Sequence, residues 1–276
     1  MSEHQPLIVI QITDTHLFAD RDREMMGLKT AHSFRAVLDR IRKLNLAPDV
    51  FLLTGDLSQD ETPESYEYLQ SLITSFDVPT YWIPGNHDNP DAIASILTHN
   101  SIRSEKSFDI GNWHFILLNS QCPGKVYGSL SSNSLQQLEL QLERNRDRPT
   151  FIALHHHPIA IASEWMDEIN LRNSDEFLAI IDRHPQVKIV ICGHIHQEFE
   201  TSRNGVIYLG CPSTCVQFKP RATELAFDET ATPGFRVLTL HADGKSTSKV
   251  ERTNYQLPTY PNPRELQKRV KNMAHQ

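Results

Sequence analysis

The sequence predicts an α/β protein (α+β in some classifications) in which two mixed β-sheets lie face to face with helices outside. Apolar, β-branched runs alternate with segments of helical periodicity in the first third of the chain, which favours a mainly parallel sheet. The last third contains several short β-rich runs separated by turns. With 276 residues, of which 39% are hydrophobic, the chain can form one large core.

The first third of the chain contains three predicted strands and two predicted helices. The strands are expected at the apolar runs of residues 7–13, 50–53 and 80–83. Apolar side chains at helical spacing predict a first helix over residues 32–46. The second helix is expected over residues 63–76, with Thr62 as its N-cap and Pro63 at its first position.

The rest of the chain is predicted to supply further strands and two more helices. Gly111-Asn112 lies between two apolar runs and is a signal for a tight hairpin. The helices are expected at residues 131–146 and 175–183. The strands are expected at residues 107–110, 113–118, 150–154, 187–192, 198–201, 206–209, 235–240 and 246–252.

Composition limits the cellular setting and the partners of this chain. The net charge is −7 and no basic stretch is present, so a nucleic-acid partner is not expected. No apolar run is long enough for a membrane span, and the amino-terminal residues lack the features of a signal peptide. Four scattered cysteines without CxxC spacing indicate reduced thiols. We therefore expect a cytoplasmic protein that does not bind membranes.

The chain is expected to be one domain with a short tail. No repeat or linker divides residues 1–254, which we assign to the domain. Residues 255–276 are polar and contain three prolines. This tail is interpreted as an arm that packs on the surface or on a second subunit, so that both a monomer and a homodimer stay open.

Metal-ligating residue types follow five of the predicted strands. In chain order they are Asp14 and His16; Asp56; Asn86, His87 and Asp88; His155, His156 and His157; and His194 and His196. Half of the 14 histidines fall in this series, which a solvated surface would not explain. Because ligands of open α/β sheets bind at the carboxyl ends of the strands, we expect these side chains to form one site.

The mixture of oxygen and imidazole donors suits a pair of divalent metal ions. Asp14 and His16 alternate by two, as do His194 and His196, and this spacing at a strand end points both side chains the same way. The two oxygens of Asp56 can bridge two metals. Each element alone also fits a surface turn, so the complete series carries the interpretation.

The third and fourth elements supply the residues with the most specific roles. Asn86 offers a neutral oxygen ligand, and His87 beside it can donate a proton. We predict that Asp88 contributes to catalysis by orienting an imidazole. His155 directly ends an apolar run and is predicted as the metal ligand of the fourth element, with His156 in contact with a ligand or the substrate.

Six segments resemble the calcineurin-like metallophosphoesterases. Within them the chain is most similar to the class III cyclic-nucleotide phosphodiesterases, the bacterial 3′,5′-cyclic AMP phosphodiesterases in particular. The segments are QITDTHLF (11–18), TGDLSQD (54–60), GNHD (85–88), HHH (155–157), CGHIHQE (192–198) and PSTCVQFKP (212–220). The resemblance covers residues 8–242 and implies a four-layer αββα sandwich, which agrees with the fold predicted from the strands.

The resemblance also implies how the site residues divide between two metal ions. One ion would be held by Asp14, His16, Asp56 and His196. The other would be held by Asp56, Asn86, His155 and His194. The substrate phosphate would be lined by His16, Asp56, Asn86, His87 and His196. Iron and manganese are the expected ions, with zinc or magnesium as alternatives. Many relatives have proline where this chain has His157, which leaves the choice between His155 and His156 open.

The activity implied is hydrolysis of 3′,5′-cyclic AMP to 5′-AMP. A hydroxide held between the metals would attack phosphorus while His87 protonates the leaving 3′ oxygen. One alternative is a broader phosphodiesterase acting on 2′,3′-cyclic nucleotides or glycerophosphodiesters. The metal ligands do not separate these two activities. A non-catalytic scaffold is the third interpretation, which the complete set of expected ligands disfavours.

Overall fold

Residues 5–260 are described in a computed structural model of the chain. The strands are β1 (Leu7–Ile12), β2 (Glu24–Met25), β3 (Leu28–Lys29), β4 (Val50–Thr54), β5 (Thr80–Ile83), β6 (Ile102–Arg103), β7 (Ser107–Ile110), β8 (Trp113–Leu117), β9 (Thr150–Leu154), β10 (Val187–Cys192), β11 (Phe199–Arg203), β12 (Val206–Gly210), β13 (Gly234–Leu240) and β14 (Ser246–Arg252). The helices are α1 (Thr30–Lys43), α2 (Pro63–Ile73), α3 (Pro90–Ile96), α4 (Ser132–Arg144), α5 (Glu164–Asp167) and α6 (Ser174–Ile181).

The strands form two six-stranded mixed sheets and a small hairpin. The first sheet has the order β14-β13-β1-β4-β5-β6, and β1, β4, β5 and β6 run parallel to their neighbours within that group. The second sheet has the order β11-β12-β10-β9-β8-β7, with a parallel centre of β12, β10, β9 and β8. Strands β2 and β3 pair separately. In each sheet the parallel strands therefore end at one common edge.

Three apolar layers hold the sandwich together, and alternate residues of a strand contribute to different layers. On β4, Val50 and Leu52 pack between the two sheets, whereas Phe51 and Leu53 face helices α1 and α2. Helices α4 and α6 cover the outer face of the second sheet. The predicted αββα sandwich is confirmed. Strands buried on both faces read as continuous apolar runs, as they do in this sequence.

Local sequence signals account for most of the element boundaries. The side chain of Thr62 accepts a hydrogen bond from the Ser65 amide and begins α2 as predicted. The Gly111-Asn112 hairpin joins β7 to β8, and Gly111 has a positive φ of 57°. The predicted helix over residues 63–76 is α-helical only to Ile73, after which residues 74–76 tighten into a 3₁₀ turn.

Five short elements have no counterpart among the predictions: β2, β3, β6, α3 and α5. Each has seven residues or fewer, which is too short for hydrophobic periodicity to show. The predicted tail is described only as far as Tyr260, whose ring packs against Phe227 of the domain. Residues 261–276 lie outside the described part of the chain. No helix within residues 5–260 is both long and apolar enough to span a membrane.

A buried arginine joins the two sheets. Arg236 lies on β13 of the first sheet and is 2% exposed. Its guanidinium donates hydrogen bonds to the Gly210 carbonyl at 2.6 Å and the Phe199 carbonyl at 3.2 Å, both in the second sheet. It also donates to the Ser248 hydroxyl. The guanidinium thus supplies donors to backbone carbonyls at the junction of the two sheets.

We expect Arg236→Leu to lower the free energy of unfolding by about 2–4 kcal/mol, because the buried carbonyls lose their donors. Urea unfolding followed by circular dichroism measures this change. Arg183→Leu is the matched control, because Arg183 pairs with Glu139 on the surface. This second variant should cost less than about 1 kcal/mol. Equal losses in the two variants would contradict the bridging role of Arg236.

Candidate metal centre

The polar residues predicted from the sequence converge at one edge of the sandwich. Loops after β1, β4 and β5 approach this edge from the first sheet, and loops after β9 and β10 approach it from the second. Hydrogen bonds join the loops directly. The amide of Asp14 donates to the carbonyl of Gly55 at 2.9 Å, and the amide of Gly193 donates to the carbonyl of His155 at 3.1 Å. The site is therefore built from both sheets.

The backbone at this edge is bent rather than extended. Strand β1 ends at Ile12 and strand β10 at Cys192, so the predicted alternation of side chains along a strand is not what aligns the site residues. Left-handed φ angles occur instead at Asp14 (53°), His16 (44°), Asp56 (50°), His194 (68°) and His196 (46°). Such conformations are unfavourable for residues with a Cβ and are enriched at functional sites.

Two glycines permit the close approach of the loops. A Cβ on Gly193 would lie 2.2 Å from the Thr13 hydroxyl and 2.8 Å from the Thr54 carbonyl. A Cβ on Gly55 would lie 2.4 Å from Nδ1 of His155, and Gly55 also has a φ of +97°. A Cβ at either position would clash with the loop of the facing sheet, so glycine is required there.

One cluster of donor atoms forms around His16. Its Nε2 lies 3.2 Å from Nε2 of His196 and 3.8 Å from Oδ2 of Asp56. The Nε2 of His196 also lies 3.3 Å from Oδ1 of Asp14. The structure thus brings together all four residues expected to hold the first ion. The sulfur of Cys215 lies within 4.8 Å of the ring-nitrogen ligand atoms of His16 and His196, which the sequence analysis did not anticipate.

A second cluster lies on the other side of Asp56. Nε2 of His155 is 3.3 Å from Oδ2 of Asp56, and ring nitrogens of His155, His156 and His194 lie within 4.8 Å of one another. Two buried atoms here have no hydrogen-bond partner, Nε2 of His156 and Oδ1 of Asn86, and Nε2 of His155 has only the Asp56 carboxylate beside it. Buried polar atoms are nearly always satisfied, so the two unpartnered atoms indicate a site for a further group.

The outer ring nitrogens explain how the imidazoles are held. Nδ1 of His155 lies 2.8 Å from the Thr54 carbonyl, and Nδ1 of His196 lies 2.8 Å from the Val216 carbonyl. Nε2 of His194 lies 3.1 Å from the Ile169 carbonyl. Because a carbonyl only accepts, each ring carries a proton on its outer nitrogen, and the inner nitrogen is the atom that points into the site. This is the arrangement of metal-ligating histidines in proteins.

Burial and neighbouring charges shift the titration of this cluster. Burial lowers the pKa of His16 to about 3, although Asp56 acts against it. Burial and adjacent imidazoles hold the pKa of His194 well below its usual range. For Asp56, burial acts to raise the pKa, but His155 and His87 outweigh it and keep the carboxylate ionised. Burial acts to lower the pKa of His155, but Asp56 outweighs it and raises this pKa to about 9. The buried carboxylate is therefore paired with His155, whereas His16 and His194 are neutral.

Asp88 does not orient an imidazole, contrary to the prediction. Its carboxylate accepts hydrogen bonds from the amides of Leu57, Ser58 and Gly85 and from the Tyr66 hydroxyl, at 2.9–3.1 Å. Burial and the charge of Asp56 raise the pKa of Asp88 to about 7, and these backbone donors oppose that rise. The residue ties the loop after β4 to the loop after β5 and so fixes the site's backbone.

The donor set fits two divalent ions that share Asp56. His16 and His196 turn their Nε2 lone pairs toward each other at 3.2 Å, a repulsion that a cation between them would relieve. The unpartnered atoms of the second cluster fit a second cation in the same way. Carboxylate, amide and imidazole ligands suit iron, manganese and zinc. The site is therefore a candidate two-metal centre.

Comparison with known proteins identifies the family. Residues 7–198 match the family described as calcineurin-like phosphoesterase. The chain belongs to this family. Its members hydrolyse phosphate esters, so this protein is a metal-dependent hydrolase of that class, as its motifs predicted. A dimetal phosphatase from Danio rerio has the same fold, with a TM-score of 0.65, 14% identity and coverage of 89% of this chain and 99% of that one.

Two curated relatives are similar over nearly their whole length. A 3′,5′-cyclic-nucleotide phosphodiesterase of Nostoc sp. is 49% identical over 261 residues, which cover 95% of this chain and 98% of the relative. A 3′,5′-cyclic adenosine monophosphate phosphodiesterase of Escherichia coli K12 is 42% identical over 245 residues, which cover 88% and 89% of the two chains. The predicted resemblance to these phosphodiesterases is confirmed.

We expect the metal-free protein to lose stability as the pH falls from 6.5 toward 3. Folded His16 accepts a proton only near pH 3, whereas the unfolded chain accepts it near 6.5, so acid favours unfolding over this interval. Above pH 6.5 His16 is neutral in both the folded and the unfolded chain, so its contribution to the free energy of unfolding does not change with pH. Urea unfolding of chelator-treated protein between about pH 7 and about pH 5 measures the slope, and the difference from His16→Gln separates His16 from Asp88 and the other histidines that titrate here. An identical slope in His16→Gln would contradict the assignment.

Proposed function

We propose that this protein hydrolyses 3′,5′-cyclic AMP to 5′-AMP at a two-metal centre. The observation that carries the proposal is the convergence of two imidazole clusters on the carboxylate of Asp56. Relatives at 42% and 49% identity that are named as cyclic-nucleotide phosphodiesterases support this substrate. The cytoplasmic location and the oligomeric state stay predictions.

In this proposal each ion has four protein ligands. The first ion is held by Asp14, His16, Asp56 and His196. The second is held by Asp56, Asn86, His155 and His194. Bound ions of iron, manganese or zinc would supply positive charge beside the phosphate and activate water. Iron and manganese are our choice, with zinc or magnesium as alternatives.

Asp56 contacts two of the candidate metal ligands and also the backbone of His87. Its Oδ2 faces His155 and His16, and its Oδ1 accepts a hydrogen bond from the His87 amide at 2.9 Å. The same carboxylate therefore fixes the backbone that carries His87. Asn86, next in the chain, offers a neutral oxygen that does not repel an incoming phosphate diester.

His87 is the residue we assign to protonation of the leaving 3′ oxygen. Its side chain is half-buried, unlike the buried imidazoles of His155 and His194, so substrate can reach it. A positioned general acid contributes about 10²–10⁴ in rate. His16, Asp56, Asn86 and His196 would line the phosphate together with His87.

The groups around His155 and His156 favour His155 as the metal ligand. Nε2 of His155 lies 3.3 Å from the bridging carboxylate of Asp56. Nδ1 of His156 lies 2.8 Å from the Ser120 hydroxyl, while its Nε2 faces the same cluster without a partner. We assign His155 as the ligand, with His156 beside it and its ring centroid 4.7 Å from that of His194.

We expect metal-stripped protein resupplied with Mn²⁺ to convert 3′,5′-cyclic AMP to 5′-AMP. Asn86→Ala should lose at least about 10-fold in activity and in metal affinity, because one ligand is removed. Product chromatography and metal analysis measure the two effects. Turnover of bis(nitrophenyl) phosphate without turnover of cyclic AMP would reject this substrate and favour the broader phosphodiesterase, with 2′,3′-cyclic nucleotides and glycerophosphodiesters tested next.

His87→Ala should reduce hydrolysis of cyclic AMP by about 10²-fold or more, because the 3′ alkoxide then leaves without a proton. Hydrolysis of bis(nitrophenyl) phosphate should fall much less, since nitrophenolate is already a stable leaving group. Steady-state kcat values for both substrates test this. Equal proportional losses would contradict the acid role of His87.

A further inference from the structure

The amide of Gln59 lies between two imidazoles of the site. Its Oε1 is 2.7 Å from Nδ1 of His16, and its Nε2 is 3.2 Å from Nδ1 of His87. The two rings are nearly perpendicular, with centroids 5.2 Å apart. A single side chain therefore contacts both a candidate metal ligand and the candidate proton donor.

Chemistry decides which end of the amide faces each ring. Nε2 of His16 points toward Nε2 of His196 and Oδ2 of Asp56, so a ligand role requires its lone pair there. The proton of neutral His16 is then on Nδ1, which needs an acceptor. Only the carbonyl of Gln59 accepts, and its NH₂ group consequently faces His87.

His87 differs in this respect from the other imidazoles of the site. His16, His155, His194 and His196 each present an outer nitrogen to an acceptor oxygen. Nδ1 of His87 instead faces a donor, so it must accept a hydrogen bond. In the neutral ring the proton is therefore on Nε2, the nitrogen that is not bound to Gln59.

We propose that Gln59 is a positioning residue that sets the tautomers of both rings, keeping the Nε2 lone pair of His16 for metal and the Nε2 proton of His87 for substrate. The role of that proton rests on the proposed function. A carboxylate could not act in this way, because it only accepts. The Gln59 amide therefore links metal binding at His16 with proton donation by His87.

The loop that carries Gln59 is held by hydrogen bonds from its backbone amides. The Gln59 amide donates to the Leu17 carbonyl at 2.8 Å. The two preceding amides, of Leu57 and Ser58, donate to the Asp88 carboxylate at 3.0 Å. The backbone at Gln59 is thus held by the Leu17 carbonyl and the Asp88 carboxylate, which suits a residue that must orient two rings.

Nitrogen-15 NMR of zinc-loaded protein tests the assignment, because ring-nitrogen shifts distinguish the tautomers. Neutral His87 should be protonated on Nε2 in the unsubstituted protein. In Gln59→Glu it should move to the Nδ1 tautomer, while His16 keeps its proton on Nδ1. Gln59→Leu should remove the preference of His87. An unchanged His87 tautomer in Gln59→Glu would overturn the proposal.

Gln121→Leu is the matched control, since Gln121 is also half-buried and donates to the Asp88 carbonyl at 2.6 Å without contacting an imidazole. It should leave both tautomers unchanged, and a shift equal to that of Gln59→Leu would overturn the proposal. Kinetically, Gln59→Leu should slow cyclic AMP hydrolysis about 10–100-fold and bis(nitrophenyl) phosphate hydrolysis much less. Absence of cyclic AMP turnover in the unsubstituted protein would reject the substrate, while the NMR result decides the tautomers separately.

Discussion

The buried carboxylate of Asp56 is the group around which the rest of the site is organised. An ionised carboxylate away from water is costly unless charges or donors surround it. Here it receives the His87 amide and faces His155 and His16, so three different loops are drawn to one side chain. The left-handed backbone of Asp56 and the close packing against Gly85 follow from this arrangement.

The imidazoles packed around that carboxylate have more ring nitrogens than the neighbouring groups can satisfy by hydrogen bonds. His155, His194 and His196 use their outer nitrogens on backbone carbonyls, and in the neutral rings the inner nitrogens therefore carry lone pairs. Lone pairs that face one another in a buried site repel. A cation between them removes this repulsion, because each lone pair is attracted to the cation. The geometry is thus that of a site prepared for metal ions.

Contacts from Val216 and Phe218 hold the His196 ring in place. Val216 accepts from the His196 ring through its carbonyl, and the Phe218 ring lies flat against the same imidazole with centroids 4.3 Å apart. Phe218 in turn packs on Phe227, which contacts Tyr260. His196 is therefore held by polar contact at one atom and by aromatic packing over its face.

The sequence by itself determined the strand order along the chain, the αββα class and the set of residues that meet at one edge, because apolar runs, turn residues and ligand types are local signals. The tertiary structure decided what depends on distance between segments. Asp88 reads as an imidazole partner from its place beside His87, yet its hydrogen bonds go to backbone amides and Tyr66. Gln59 lies in the TGDLSQD segment, but that segment does not predict which side chains it contacts, and its contacts with His16 and His87 arise only when three loops meet. Hydrogen bonds between side chains far apart in sequence have no periodicity, so only the folded chain defines them.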